Sequence, residues 1–228
     1  LSGADSGNYT FNTTASTTAN ITARPITVTA VTSSKVYDGL TTSSGIPTIT
    51  SGSLAGTDSA SWTQSFSNKN VGSNNKTLIP AGTVTDGNSG NNYSVTFVNS
   101  TTGTITPATL SITGITAANK VYDGTTAATV NFGSAALAGV LGTDVVSLNT
   151  SLASATFSNK NVGNAKTVSV SGMAISGTDA SNYTFNTTAS TTANITARPL
   201  TITATGINKV YDGLTTDTVT LADNRIAG

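Results

Sequence analysis

Five residues, Lys-Val-Tyr-Asp-Gly, stand at 35–39, again at 120–124 and a third time at 209–213. They bring together an amine, a phenol and a carboxylate. A lysine can condense with an asparagine side chain when a buried carboxylic acid assists, provided burial depresses the amine towards neutrality and so makes it a nucleophile. Lys35, Lys120 and Lys209 recur beside Asp38, Asp123 and Asp212, and Lys69 and Lys160 form a second recurrent set in an asparagine-rich chain. Such cross-linking usually employs glutamate, and all ten acidic residues here are aspartates. The residues favour architecture instead. In an extended segment Lys35 and Tyr37 face one way, Val36 and Asp38 the other. Asp-Gly then supplies a turn, since Asp tolerates a left-handed conformation and Gly accepts positive φ. This reading has Val121 plugging the core and Tyr122 covering an edge or a junction between repeats. The structural motif is thus Lys35, Tyr37, Asp38 and Gly39, with Lys120, Tyr122, Asp123 and Gly124, and Lys209, Tyr211, Asp212 and Gly213.

The remaining inventory argues against catalysis. The chain holds no histidine, cysteine or glutamate, and it lacks a nucleophile elbow, a phosphate-binding loop and a dinucleotide fingerprint. The expectation is no enzyme and no cofactor. The loops Asp86–Tyr93 and Gly177–Tyr183 are rich in oxygen, but each offers one carboxylate where calcium takes six to eight oxygens, so turn chemistry is the better reading. No metal residue is assigned. Trp62, the sole tryptophan, is a candidate glycan contact beside Asp58 and Gln64 if exposed, and a core residue if buried. Ten basic residues balance ten acidic ones, which leaves no electrostatic footprint for nucleic acid or an anionic membrane. No apolar run approaches the ~18 residues of a membrane span.

The elements that carry these residues read as strands. Ile26, Val28 and Ala30 alternate with threonines, as do Leu110 with Ile112, Val168 with Val170, and Leu200, Ile202 with Ala204. Tyr93, Val95 and Phe97 share one face, and Tyr183 shares one with Phe185. β-branched Thr and Val suit a pleated surface and disfavour helix. Low charge and abundant Ser, Thr and Asn can signal disorder, yet 36% of residues are hydrophobic and they alternate, which argues for folded sheet. The fold class is all-β or nearly so, in tandem elongated β domains. An immunoglobulin-like sandwich is favoured by length and turn spacing; a β-grasp-like sheet with one short helix, placed near Leu137, is the alternative.

Internal repetition is the strongest signal. Lys-Val-Tyr-Asp-Gly recurs after 85 and then 89 residues, and Asn-Tyr-(Ser/Thr) places Tyr9, Tyr93 and Tyr183 at spacings of 84 and 90. Phe-Ser-Asn-Lys-Asn-Val-Gly spans 66–72 and 157–163, and Gly-Thr-Asp stands at 56–58 and 142–144. Asn8–Pro25 reappears unchanged as Asn182–Pro199, which indicates duplication of a coding segment. The chain therefore reads as the C-terminal part of one repeat (1–24), two complete repeats (25–107 and 108–198) and the N-terminal part of a following repeat (199–228). Each unit has the size of a small domain. Because the sequence begins mid-pattern, a fragment of a longer protein is expected.

The ordered set of Lys-Val-Tyr-Asp-Gly, Phe-Ser-Asn-Lys-Asn-Val-Gly, Asn-Tyr and a closing Ile-Thr-Pro or Ile-Thr-Ala-Arg-Pro resembles the YDG-type repeats and their MBG-type relatives. These occur in large bacterial surface and secreted adhesins, including filamentous-haemagglutinin-like exoproteins. The resemblance implies a secreted or cell-surface protein whose repeats form a stalk, projecting an adhesive region and supporting cell adhesion or biofilm. Its partners would be neighbouring repeats in the same chain, with host or matrix glycan or protein engaged through regions outside this segment. The alternative is that the repeats themselves bind glycan or matrix.

Overall fold

A computed structural model describes residues 1–226. The protein is all-β: among the described residues helix is confined to two three-residue 3-10 turns, Ser6–Asn8 and Ala180–Asn182. The segment around Leu137, the candidate for a short helix in the alternative reading, is instead the strand Ala136–Ala138, paired antiparallel with Ala108–Thr113. Leu137 lies opposite Ile112 there, and cross-strand pairing overrides the modest helix preference of Ala and Leu.

The chain divides into two compact units. The first comprises Leu1–Ser33, Thr41–Ser67 and Asn74–Gly103. Its three-stranded sheet sets Arg24–Thr29 between Thr48–Ser51, antiparallel, and Tyr93–Val98, parallel. The alternation read in the sequence places Ile26 and Val28 inward at 2% and 0% exposure, where they meet Val84 and Tyr93. Burying side chains of this size stabilises by ~1.5–3 kcal/mol each. A hairpin of Ser59–Phe66 on Gly72–Thr85, in register from Ser59 opposite Thr85 to Phe66 opposite Leu78, covers that core.

The second unit comprises Ser34–Leu40, Asn68–Ser73 and the chain from Thr104 onward. It therefore contains the first Lys-Val-Tyr-Asp-Gly segment and the first Asn-Lys-Asn segment, together with the whole second repeat. A four-stranded sheet runs in the order Lys120–Val121, Ala189–Thr196, Gly163–Ser171, Ser154–Phe157. The first pairing is parallel and the others antiparallel. Phe157, Val168, Ala193 and Ile195 form its core, with Tyr122 packed against them. A three-stranded sheet sets Ala108–Thr113 between Ala136–Ala138 and Tyr183–Phe185, the latter parallel. Ser34–Val36 pairs parallel with Thr104–Thr106, repeating the register of Lys120–Val121 on Ile195–Thr196. Ile202–Gly206 and Val219–Asp223 close the described chain as an antiparallel pair.

Candidate functional site

The three Lys-Val-Tyr-Asp-Gly segments build one loop three times. Each lysine donates to the aspartate three residues on, at 2.7, 2.8 and 2.9 Å for Lys35–Asp38, Lys120–Asp123 and Lys209–Asp212. It also donates to the carbonyl five residues on: Leu40, Thr125 and Leu214. Lys120 and Lys209 reach a further carbonyl, Ala127 and Thr216, at 2.9 and 2.6 Å. The aspartate Oδ1 in turn accepts the backbone N–H two residues later, at 2.9 Å in every copy. Gly39, Gly124 and Gly213 hold φ of +77°, +79° and +75°, a left-handed conformation that glycine adopts without a Cβ clash. An ammonium carries three protons, and these acceptors engage them. Asp38 and Asp212 are lowered and Asp123 is brought down to about 2, led in each case by the lysine hydrogen bond and helped by the backbone N–H. The lysine thus staples a turn.

The valine does not plug the core. Val36 and Val121 are 59% and 52% exposed, whereas Tyr37 is 2% exposed. Lysine and tyrosine share the inner face, and the tyrosine supplies the apolar contact.

Inside the second unit Tyr37 meets residues of the second repeat. Its hydroxyl donates to Asp144 Oδ2 at 2.6 Å. Tyr183 donates to the same oxygen at 2.7 Å and accepts the Leu141 N–H at 3.0 Å. Lys69 donates to Asp144 Oδ1 at 2.6 Å. The two tyrosine rings stand edge to face, centroids 5.4 Å apart at 77°, a favoured aromatic geometry. Beside them Asn182, 2% exposed, accepts the Val71 N–H at 3.0 Å. A cleft of about 210 Å³ opens next to this cluster, lined by Asp38, Leu40, Lys69, Thr143 and Asp144 among others.

The carboxylate is the hub. The Asp144 side chain is 4% exposed. Burial pushes its pKa up, but hydrogen bonds from Lys69, Tyr37 and Tyr183 outweigh that and hold it at about 2. Burial and then the bond to Asp144 raise Tyr37, and they push Tyr183 up to about 12. Lys69 is raised, chiefly by Asp144. Each partner keeps the others in the protonation state that binds best.

Every member of this cluster belongs to a recurrent motif: Tyr37 to the five-residue repeat, Lys69 to Asn-Lys-Asn, Asp144 to Gly-Thr-Asp, Tyr183 to Asn-Tyr. Of these four the sequence reading assigned Tyr37 alone to the structural motif, and noted Lys69, Asp144 and Tyr183 as members of recurring segments without a role. Recurrence of Asp58 with Asp144, and of Tyr93 with Tyr183, was the signal for the others. Lys35 pairs with Asp38, Lys120 with Asp123 and Lys209 with Asp212, each within one loop, and the Lys120 ammonium also stands over the Phe157 ring, 5.5 Å from its centroid. Tyr122 is half-buried and lines an apolar cleft of about 220 Å³ with Val162, Leu200 and Ile226; Tyr211 is 93% exposed.

The other candidates have local roles. Trp62 is half-buried, packs against the first unit's core and stands edge to face with Phe97 at 5.9 Å. Gln64, 5% exposed, bonds the Val31 N–H and carbonyl and the Ser43 hydroxyl. Asp86 accepts the backbone N–H groups of Asn88, Gly90 and Asn92, a turn built on one carboxylate.

No helix among the described residues is long and apolar enough to cross a membrane. Neither the curated proteins nor the solved structures contain a match to this chain. The family model of the YDG domain matches twice, over residues 22–103 and 106–193. The chain belongs to the YDG domain family, as a tandem of two matched repeats.

Proposed function

We propose that this chain is a structural spacer: part of the repeat stalk of a bacterial cell-surface or secreted adhesin, which projects an adhesive region and supports cell adhesion or biofilm. The observation that carries the reading is the cluster on Asp144, where the motif tyrosine and lysine of one repeat bind the aspartate and tyrosine of the next. A chain whose recurrent residues serve its own turns and repeat-to-repeat bonds is suited to bearing load and spacing. The motif lysines are saturated by loop acceptors, and the motif aspartates are paired, so the reading assigns no residue to catalysis. Absence of cysteine suits passage through an oxidising compartment, and a neutral Thr/Ser/Asn surface stays hydrated without drawing polyanions.

The test has two parts. The purified chain, applied to a glycan array and to matrix proteins, is expected to bind neither. Removal of residues 108–198 from the parent protein is expected to lower adhesion of cells displaying it. Binding of glycan by the purified chain that is lost in Trp62→Phe would replace the spacer reading with glycan recognition by the repeats. Adhesion unchanged by the deletion would also sink it.

A further inference from the structure

The receiving half of the joint exists a second time, in the first unit. Ala55-Gly56-Thr57-Asp58 and Leu141-Gly142-Thr143-Asp144 are the same turn: the aspartate N–H bonds the carbonyl three residues back at 3.0 Å in both, and Gly56 and Gly142 hold φ of +51° and +50°. In both the Asn-Tyr tyrosine then closes on the turn. Tyr93 donates to Asp58 Oδ2 at 2.6 Å and accepts the Ala55 N–H at 2.7 Å, as Tyr183 does with Asp144 and Leu141. The difference lies in what else reaches the carboxylate. Asp144 also takes Tyr37 and Lys69, whereas among the described residues Asp58 receives no second tyrosine and no lysine. Asp58 is half-buried and its hub oxygen is already oriented by Tyr93.

We propose that Asp58 and Tyr93 form a docking site for another YDG repeat standing ahead of Pro25, taking its motif tyrosine and its Asn-Lys-Asn lysine as Asp144 takes Tyr37 and Lys69. The occupant is specified by chemistry the protein itself displays: a phenol from a lysine-stapled loop donating to Oδ2, and an ammonium from an Asn-Lys-Asn segment donating to Oδ1. Tyr122 and Lys160 of the second repeat are the donating half of the same kind. The joint would then repeat at every boundary of a longer array. This inference rests on the spacer reading only in taking repeats to follow one another head to tail.

The sequence supplies a clean test. Because Asn182–Pro199 is identical to Asn8–Pro25, a chain of residues 1–198 joined to residues 25–228 reproduces a native boundary residue for residue. Tyr122 and Lys160 of the first pass then precede Asp58 and Tyr93 of the second. Tyrosine nitration by tetranitromethane, read by peptide mass spectrometry, is compared in the 228-residue and spliced chains, every spliced chain carrying Tyr122→Phe in the second pass so that the one remaining Tyr122 peptide reports the first pass. First-pass Tyr122 is expected to react about tenfold more slowly in the spliced chain, the factor that ~1.4 kcal/mol of closure gives. Asp58→Ala in the second pass should restore its reactivity, and the same change in the first pass should not. Low nitration of Tyr37 in every variant verifies folding. Equal Tyr122 rates in the two chains, or a protection that survives second-pass Asp58→Ala, would overturn the proposal. Nitration reads the joint whether or not the protein supports adhesion, so the two readings fail separately.

Discussion

Replacing Asp144 by asparagine tests the hub with little change of shape. The amide oxygen can occupy the Oδ2 position and still accept from Tyr37 and Tyr183, but as a neutral acceptor. Hydrogen bonds to a charged partner contribute ~1.5–3 kcal/mol and neutral ones ~0.5–1.5, so each tyrosine bond loses about 1 kcal/mol. The amide nitrogen then falls at the Oδ1 position, donor against the Lys69 ammonium. Lys69 is 37% exposed, so solvent screens that pair and the tyrosine bonds dominate. The expected loss is therefore ~2 kcal/mol, from the two tyrosine bonds. Urea unfolding followed by circular dichroism measures it, with hydrogen exchange on peptides spanning Tyr37, Asp144 and Tyr183 reporting where protection falls. A double-mutant cycle with Tyr37→Phe sharpens the result: the two changes should be non-additive by about 1 kcal/mol, because they remove one shared bond. A loss below about 0.5 kcal/mol in Asp144→Asn, or strict additivity with Tyr37→Phe, would refute the account, since surface substitutions away from such features fall in that range.

Three further outcomes follow from the geometry. Asp144 has a folded pKa of about 2, below the ordinary carboxylate value, so its contribution is complete above pH ~4 and fades as the pH falls towards 2. Tyr183, held up at about 12, contributes fully below pH ~10 and fades as the pH climbs towards 12. Urea midpoints against pH should show both limbs, and Asp144→Asn should flatten each relative to the parent. Gly39→Ala keeps an open site for the added methyl but forces alanine to φ of +77°, which should cost ~1–2 kcal/mol in the same unfolding assay. Lys120→Met preserves the aliphatic stem while leaving Asp123 and the Thr125 and Ala127 carbonyls without their shared donor; a loss of ~1–2 kcal/mol is expected, and an unchanged midpoint would deny the staple.

The strands were legible because their pattern is local. Ile26 with Val28, and Val168 with Val170, alternate with polar residues, and each pair is buried where the alternation puts it. The Asp-Gly turn was legible for the same reason, since φ at Gly39 follows from residue type. Two errors have one origin. Val121 looked like a core residue by hydrophobicity, and Leu137 like part of a helix by propensity, but neighbours decided both. Parallel pairing of Lys120–Val121 with Ile195–Thr196 turns Tyr122 inward and Val121 out. The Asp144 cluster was the least legible feature, because Tyr37 and Asp144 lie 107 residues apart. The constant order of four short motifs is all that the sequence carries of it.

The duplicated stretch takes its strand partners from upstream in the chain. At Asn182–Pro199 it makes the strands Tyr183–Phe185 and Ala189–Thr196, with Tyr183 6% exposed. The first pairs with Ala108–Thr113, the second with Lys120–Val121 and Gly163–Ser171. Genetic exchange between the two identical tracts would add or remove two complete repeats at once. An array of this design changes its length by whole repeats across generations, without passing through a half-built intermediate.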